Sequence, residues 1–568
     1  MKTPLGIRFR RLLWTPLRLQ AKWQVRAWKR AVASAAATQA RLLERLLAEV
    51  QETDFGRDHG LARVRTVEDL RRAIPIAGYE RAAPYVERVA RGETEALLPR
   101  GTRVRMFAMT SGTTGEPKRI PVTDTVVSDY RGGWHVWGVR ALDDHLDAYG
   151  AKILQITSRM DEQVTPAGIP AGAMSGFTAH AQKPIVRRMY VMPPEGACAG
   201  DIATKYYLAC RLGLLSRRVM PLTANPSTLL GLAKAMDARK EELIRDVADG
   251  TLSADLALEP PHRRCIAARL RPAPGRAREI QAAADAAGRL YPKDAWELPL
   301  IGTWKGGTLS LYLREMPTYW GDAPVRDIGL IASEGRFSMP IQTEGSAGVL
   351  EATGTFFEFV PEDEIDNPNP AALLAHEVEV GRRYFLVLTT PSGLWRYDIR
   401  DLVRVTGRFG QAPIIEFLNK GQHVANLTGE KLTEFQVTSG TNGVLARLGI
   451  GVRNYCLCPT WDAVPYYSLL VEEGEAPASR AAELASAVDL ALQDLNMEYA
   501  AKRRTGRLGP IGVKIVPAGT WLDYDLRTVA QCSGRVEQYK HRFLVSEVGF
   551  ERRFTILASY GQPVEKTA

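Results

Sequence analysis

The chain has 568 residues, of which 45% are apolar and 24% charged, the composition of a globular protein with at least two domains. Its net charge of +10 is confined to the start, because residues 1–43 contain ten lysines and arginines and no acid. The neutral remainder gives no case for a nucleic-acid partner. The lack of an apolar run of roughly eighteen residues argues against a membrane-spanning helix.

The first predicted element is a basic amphipathic helix within residues 1–34, an extension of the first domain. The helical wheel has a basic side (Arg18, Lys22, Arg26, Lys29) and an apolar side (Leu17, Ala21, Val25, Trp28, Val32). Such a helix can contact an anionic membrane peripherally through residues 8–32, or it can pack its apolar stripe on the protein body. An arginine-rich, acid-poor start is also typical of an organellar transit peptide, so three interpretations stay open.

Two further helices are predicted, one over residues 35–50 and one in TVEDLRRAIPI, a capped helix that Pro75 stops. From about residue 100 to 420, short β-rich runs such as AKILQIT and RRYFLVLTT alternate with helical stretches and Gly/Pro turns. This alternation predicts an α/β domain, and the strands after residue 345 are expected to form antiparallel meanders.

A shorter pattern follows residue 425. It consists of the strand YYSLLVEE, a helix with one apolar face (Leu484, Val488, Leu492, Leu495) and the strand GVKIVPAG. We therefore predict an α/β fold in two parts. Residues 1–425 form a large N-terminal domain with a β-barrel-like part, and residues 426–568 form a small α+β lid domain.

The six cysteines are scattered and include no CxxC pair. This distribution fits neither a zinc site nor a disulfide scaffold, and it favours a reducing, cytoplasmic location. Cys456 and Cys458 have strand spacing and are predicted to be core thiols on one face. A monomer is the default expectation for the oligomeric state.

The most informative segment is TSGTTGEPK, residues 110–118. Glycines let a backbone approach a phosphate closely, and exposed N–H groups and Ser/Thr hydroxyls donate to anionic oxygens. Lys118 adds a positive charge. The segment lacks the GxxxxGK[ST] order of a Walker loop. The structural alternative is a Gly/Thr-rich hairpin turn that ends at a proline.

TSGTTGEPK resembles the phosphate loop of adenylate-forming enzymes, which join a carboxylate to the α-phosphate of ATP. Five further segments are similar, in the same order, to the auxin-responsive Gretchen Hagen family of acyl acid amido synthetases. They are IPIAGYERAAPYVERVARGET (74–94), ANPSTLLGLAKAMDARKEELIRDVADGTLS (224–253), IGLIASEGR (328–336), GLWRYDIRDLVRVTG (393–407) and EQYKHR (537–542). The resemblance spans residues 35 to 545 and implies an adenylate-forming N-terminal domain with ATP and Mg²⁺ as cofactors.

The resemblance also implies roles for individual residues. The phosphates of ATP would be held by Ser111, Gly112, Thr113, Thr114 and Lys118. Ser333 would contact the nucleotide, and Glu334 would help to hold Mg²⁺. Asp401 would accept the two ribose hydroxyls, with Tyr397 near the adenine or ribose. Without the family, Glu334 would be interpreted as a solvated loop carboxylate. Asp401 could instead form an ion pair with Arg400 or Arg404.

Two lysines are candidates for catalysis at the acyl-phosphate end. Lys431 lies in LTGEKLTE, near the expected hinge, and Lys540 lies in EQYKHR of the small domain. A cation near the developing charge at the α-phosphate would stabilise the transition state. Either lysine could instead be an ordinary exposed side chain.

The sequence departs from the family pattern at two positions. Leu330 stands where an aromatic residue precedes the glutamate, which puts adenine stacking there in question. Arg400 replaces a glycine before Asp401, and this change leaves open a different turn. The departures favour a divergent, bacterial-type member of the family.

The predicted activity is that of an acyl acid amido synthetase. A carboxylic acid and ATP would give an acyl-adenylate and pyrophosphate, and an amine, expected to be an amino acid, would then displace AMP. An acyl-CoA ligase with a thiol acceptor shares the first step and is one alternative. A non-catalytic nucleotide-binding homologue is the other.

Overall fold

The computed structural model describes residues 15–110, 118–182, 184–306, 310–365, 367, 369–420, 424–425, 427–428, 430, 432–462, 464–531 and 541–561. Two compact units account for these residues. The large unit runs to Phe417, and the small unit begins at Leu418 and also includes Ser310–Tyr312.

Helices dominate the N-terminal part of the chain. Those before residue 321 are α1 (Thr15–Ala33), α2 (Ala35–Val50), α3 (Asp54–Asp58), α4 (Val67–Ala73), α5 (Ala83–Ala90), α6 (Asp124–Asp144), α7 (Met174–His180), α8 (Pro184–Arg187), α9 (Ile202–Gly213), α10 (Pro226–Ala238), α11 (Lys240–Asp249), α12 (Pro260–Ala267), α13 (Pro274–Ala287), α14 (Pro292–Ala295) and α15 (Ser310–Trp320). The predicted helix over 35–50 is α2, and the capped helix is α4. Thr66 and Asp69 form a capping box at the start of α4, and it ends two residues before Pro75.

Short strands alternate with these helices and then replace them. They are β1 (Val104–Thr110), β2 (Lys118–Thr123), β3 (Lys152–Leu154), β4 (Gln163–Val164), β5 (Pro170–Gly172), β6 (Val219–Thr223), β7 (Ile301–Thr303), β8 (Val325–Arg326), β9 (Ile331–Ala332), β10 (Gly335–Arg336), β11 (Ser338–Met339), β12 (Gly348–Leu350), β13 (Phe356–Pro361), β14 (Leu373–Leu374), β15 (Arg383–Thr389), β16 (Tyr397–Phe409) and β17 (Ala412–Lys420).

Two sheets of different character follow from this order. Strands β3, β6, β7 and β8 form a parallel sheet in that order, with helices in each crossover, as parallel pairing requires. The later strands form a seven-stranded sheet in the order β11-β12-β17-β16-β15-β13-β14, in which the described pairings are antiparallel. The antiparallel strands expected after residue 345 are confirmed.

The basic helix α1 packs on the body of the large unit. Its apolar residues Val25, Trp28 and Val32 are buried, and α1 lies against α6. The indole Nε1 of Trp28 donates a hydrogen bond of 2.7 Å to Glu351, which lies just after β12. This packing favours the second interpretation of the amphipathic pattern, because these apolar side chains are already covered by protein.

The small unit has its own core. Its elements are β18 (Val424–Ala425), β19 (Leu432–Thr433), α16 (Glu434–Leu448), β20 (Tyr455–Thr460), β21 (Tyr466–Glu472), α17 (Ala481–Leu495), α18 (Met497–Arg504), β22 (Gly512–Val516), α19 (Thr520–Gln531) and β23 (Ala558–Tyr560). Strands β20 to β23 form one sheet in sequence order, and β21 and β22 are parallel across α17. The predicted β–α–β unit is therefore present.

Most core predictions for the small unit are confirmed. Leu484, Val488 and Leu492 are fully buried, and the thiols of Cys456 and Cys458 lie in one apolar cluster. The prediction for Leu495 is wrong, since its side chain is 44% exposed. Leu495 is the last residue of α17, where the sheet no longer covers the helix face.

The mixture of a parallel α/β sheet, an antiparallel sheet and a small α+β unit confirms the predicted fold class. Among the described residues, no helix combines the length and apolarity needed to cross a membrane.

Candidate active site

The strand pair β1–β2 carries Lys118. The two strands are antiparallel, with Thr110 opposite Lys118, so Lys118 is the first residue after the predicted phosphate loop. The loop itself, with Ser111, Gly112, Thr113 and Thr114, lies outside the described residues. The structure therefore locates the end of the loop through Lys118, whose side chain is half-buried.

Ser333 and Glu334 form the two-residue turn of a short hairpin between β9 and β10. Ala332 pairs with Gly335 across this turn. The Tyr130 hydroxyl, from α6, donates a hydrogen bond to the carbonyl oxygen of Ala332 and holds the hairpin against α6. Glu334 is only 7% exposed, so the interpretation of it as a solvated loop carboxylate is wrong.

Lys118, Tyr397 and Glu334 meet in one cluster. The Lys118 ammonium donates to the Tyr397 hydroxyl at 3.4 Å, and that hydroxyl donates to Glu334 Oε1 at 3.5 Å. Lys118 Nζ also lies 5.7 Å from the ring centres of both Tyr79 and Tyr397. Burial, together with the negative charge of Glu334 and Asp401, raises the pKa of Tyr397, so its hydroxyl stays protonated. Three predicted site residues are thus brought together.

Asp401 lies on an irregularity of β16. Phe385 pairs with Leu402 and Val387 with Asp398, so residues 399–401 bulge opposite a single residue of β15. The Asp401 side chain is 2% exposed. The considered partners bind elsewhere: Arg400 pairs with Asp398 at 2.8 Å, and Arg404 pairs with Glu416 at 2.6 Å.

Arg400 adopts a left-handed backbone with φ of 60°. Glycine takes this conformation without steric cost, whereas other residues do so rarely. The Arg400 backbone N–H and its Nε both donate to Asp398, which helps to hold the turn. The different turn considered from the sequence is therefore not needed, because arginine is accommodated in a conformation that suits glycine.

A buried ion pair fixes the start of β16. The Arg396 guanidinium donates to Glu358 Oε2 at 2.7 Å, and both side chains are at most 5% exposed. Backbone hydrogen bonds from Ala77 to Arg396 and from Asp398 to Ala77 flank Tyr397. These contacts set the position of the Tyr397 side chain in the cluster.

Leu330 is a core residue with 4% exposure. Its side chain therefore has no open face on which an adenine could stack, and the doubt raised by the sequence at this position is supported. Tyr79 was missed by sequence reasoning. Its hydroxyl is tied to the backbone of Arg119, and burial raises its pKa to about 12.

Lys431 and Lys540 both lie outside the described residues. Their neighbours in the small unit are well held. Glu430 accepts hydrogen bonds from the Tyr467 hydroxyl and from the Leu427 N–H. His541 is buried between Asp525 at 3.0 Å and the carbonyl oxygen of Tyr455 at 3.1 Å. The roles of the two lysines stay predictions.

Among the described residues, no group of three or more His, Cys, Asp or Glu side chains could hold a metal ion alone. A single buried carboxylate, Glu334, faces the lysine–tyrosine cluster. A divalent cation there would need further oxygen ligands from the substrate, as is usual for magnesium with nucleotide phosphates.

Comparison with known proteins agrees with this geometry. The GH3 family N-terminal domain matches residues 25–325, the central domain residues 348–420 and the C-terminal domain residues 436–548. A probable indole-3-acetic acid-amido synthetase GH3.2 of Oryza sativa subsp. japonica is 25% identical, over 89% of this chain and 87% of the relative. The jasmonoyl–L-amino acid synthetase JAR4 of Nicotiana attenuata is 23% identical, over 84% and 86%.

A solved structure has the same fold. The acyl acid amido synthetase AtGH3.15, in complex with 2,4-DB, superimposes with a TM-score of 0.82 at 18% sequence identity, covering 96% of this chain and 97% of that one. The resemblance seen in the six sequence segments is thus confirmed over nearly the whole length. The chain belongs to the GH3 family.

Proposed function

We propose that this chain is an ATP-dependent acyl acid amido synthetase. A carboxylate oxygen of the donor acid attacks the α-phosphorus of ATP, and pyrophosphate leaves. The acceptor amine then attacks the carbonyl carbon of the acyl-adenylate, and AMP leaves as the amide forms. The observation that carries the proposal is the cluster of Lys118, Tyr397 and Glu334 at the end of the phosphate-loop segment, with Asp401 buried on the same strand as Tyr397.

Lys118 and Tyr397 suit the phosphate end of this site. The Lys118 ammonium is half-buried and lies against two aromatic rings, which limits its orientations. In such partly desolvated surroundings a fixed cation stabilises phosphate oxygens more strongly than it would in water. Tyr397 keeps its proton, so its hydroxyl can donate to a nucleotide oxygen.

Glu334 fits a magnesium ligand. It is buried, it lies 3.5 Å from the Tyr397 hydroxyl, and phosphate oxygens of ATP would complete the hard-oxygen set that Mg²⁺ prefers. When bound, the ion would neutralise charge on the phosphates during displacement of pyrophosphate. Ser111, Gly112, Thr113 and Thr114 would bind the phosphates, Ser333 the nucleotide, and Asp401 the ribose hydroxyls.

The small unit would act as the lid. Residues 426–568 as a mobile domain, and Lys431 or Lys540 as the cation at the acyl-phosphate end, follow from the family resemblance. Domain rotation between the two half-reactions would close the site differently for each.

The substrates are a small carboxylic acid and an amine. The relatives are named for indole-3-acetic acid and for jasmonoyl–L-amino acid products, and one solved relative holds 2,4-DB. These acids differ in shape, so the donor of this chain has to be found by assay. An amino acid is the proposed acceptor.

ATP–pyrophosphate exchange tests the adenylation step. We expect wild-type protein with Mg²⁺ to catalyse exchange with one class in a panel of aliphatic, aromatic and amino-acid carboxylates. Asp401→Ala should reduce kcat/KM at least ~100-fold, because a buried contact to the ribose diol is lost. Glu416→Ala, which removes a carboxylate from the neighbouring strand β17, serves as the matched control.

The outcomes separate the alternatives. Exchange that is unaffected by Asp401→Ala would contradict the proposed ribose site. Nucleotide binding without exchange for any acid would favour a non-catalytic homologue. Exchange followed by transfer to coenzyme A, with no amide from any amine, would favour the acyl-CoA ligase.

A further inference from the structure

A cavity of about 390 Å³ lies within the large unit, between α1, α6 and the segment that follows the hairpin β9–β10. Trp23, Trp28, Val126 and Val136 form much of its apolar wall. Glu334 lies on its border and also belongs to the lysine–tyrosine cluster. The cavity therefore adjoins the proposed active site and has the size of a small-molecule site.

The unusual group in its wall is Arg336. This side chain is 5% exposed, and its Nη1 donates to the carbonyl oxygen of Ile328 at 2.7 Å. Its Nε and Nη2 are buried and have no hydrogen-bond partner. Buried polar groups are nearly always hydrogen-bonded, and an unpaired donor of a charged group is costly. Two adjacent unpaired donors on one guanidinium indicate that a ligand completes the set.

The helix α6 makes room for this guanidinium. A Cβ on Gly133 would lie 2.6 Å from Arg336 Cδ and 2.7 Å from its Nε. Glycine within a helix costs about 1 kcal/mol relative to alanine, so its position opposite the arginine is informative. The indole ring of Trp134 covers the other face, 4.6 Å from the guanidinium carbon. Arg336 is thus held in one orientation beside the cavity.

Charge balance allows an anion in this cavity. Burial lowers the pKa of Arg336 to about 10, so it stays protonated at neutral pH. Both oxygens of Glu351 are already bound, by Trp28 and by Thr353. Burial raises the pKa of Glu351 and raises that of Asp129 to about 7, so either acid can take up a proton when an anion enters.

We propose that Arg336 binds, through Nε and Nη2, a carboxylate group of a substrate that is not consumed in the reaction. This Nε/Nη2 edge matches the two oxygens of a carboxylate in a bidentate pair. The inference rests on the proposed function. Two sources share this chemistry: a second carboxylate on the donor acid, and the carboxylate of an acceptor amino acid.

Matched substrate pairs distinguish the two sources. In the donor arm, ATP–pyrophosphate exchange compares hexanedioate with hexanoate and phthalate with benzoate. In the acceptor arm, amide formation on the best donor compares amino acids with their carboxamides. Each arm is run with wild type, Arg336→Met, Arg336→Lys and the control Arg105→Lys, which alters an exposed arginine paired with Asp124.

We expect wild type to prefer the carboxylate-bearing member of each pair in one arm. Arg336→Met should reduce that preference ~10- to 100-fold through KM, because two charge-assisted hydrogen bonds are lost. Arg336→Lys keeps the charge but not the fork and should fall between the two. The arm that responds identifies the source.

Two results would overturn the inference. One is an equal fall for all substrates, which is what a structural arginine stacked on Trp134 would give. The other is no change in either arm. If wild type adenylates no acid, the proposed function fails. Tryptophan fluorescence titration of wild type and Arg336→Met with the same compounds then tests the cavity alone, and equal affinities would reject it.

Discussion

At the scale of single residues, the site depends on side chains whose position is set by contacts distant in sequence. Asp401 was identified from its motif, and its burial on a bulge of β16 agrees with a positioned ligand group. Arg336 was not identified, because its importance depends on Gly133 across the cavity and on the absence of a hydrogen-bond partner. The glycine pair in the middle of α6 was the signal available in the sequence.

The left-handed backbone at Arg400 gives a residue-scale prediction. Arg400→Gly should be more stable than Arg400→Ala by about 1 kcal/mol, because alanine retains the steric cost of a positive φ and glycine does not. Both variants lose the ion pair with Asp398, so that loss cancels in the comparison. Chemical denaturation of the two variants measures the difference.

The control for this prediction is Arg404, on the same strand. Arg404→Ala should be more stable than Arg404→Gly, which is the ordinary order in a strand. An Arg400→Gly variant no more stable than Arg400→Ala would contradict the strained backbone.

At the scale of elements, local patterns predicted the helices and strands well. The periodic and capped segments became α2, α4 and α17, since their signals lie within a few residues. The hairpin β9–β10 was not predicted, because its two-residue strands are held by α6 through Tyr130 rather than by their own pattern. The fate of α1 was left open because an apolar stripe does not reveal what covers it.

The contact between Trp28 and Glu351 tests the docking of α1. Trp28→Phe should destabilise the protein by about 1–3 kcal/mol, because the buried carboxylate of Glu351 loses a donor at 2.7 Å. Trp23→Phe makes the same chemical change at a side chain that is 65% exposed, and it should change stability by no more than about 0.5 kcal/mol. Thermal unfolding compares the two, and equal midpoints would contradict the packing of α1 on the body.

At the scale of the whole molecule, the sequence supported a two-part protein and its family. The order of six motifs carried the family, which the domain matches confirm. The domain limits 1–425 and 426–568, the monomeric state and the cytoplasmic location stay predictions. The acyl donor could not be derived, because the cavity walls come from α1, α6 and loops far apart in sequence.

The central claim is that this protein joins an acid to an amine through an acyl-adenylate. The most direct measurement supplies the donor acid with ¹⁸O in both carboxylate oxygens, together with ATP, Mg²⁺ and the amine, and analyses the products by mass spectrometry. The account predicts one ¹⁸O in AMP, one in the amide and none in pyrophosphate. Unlabelled AMP, or ADP with ¹⁸O in orthophosphate, would contradict it, because the acyl group would then not have passed through an adenylate.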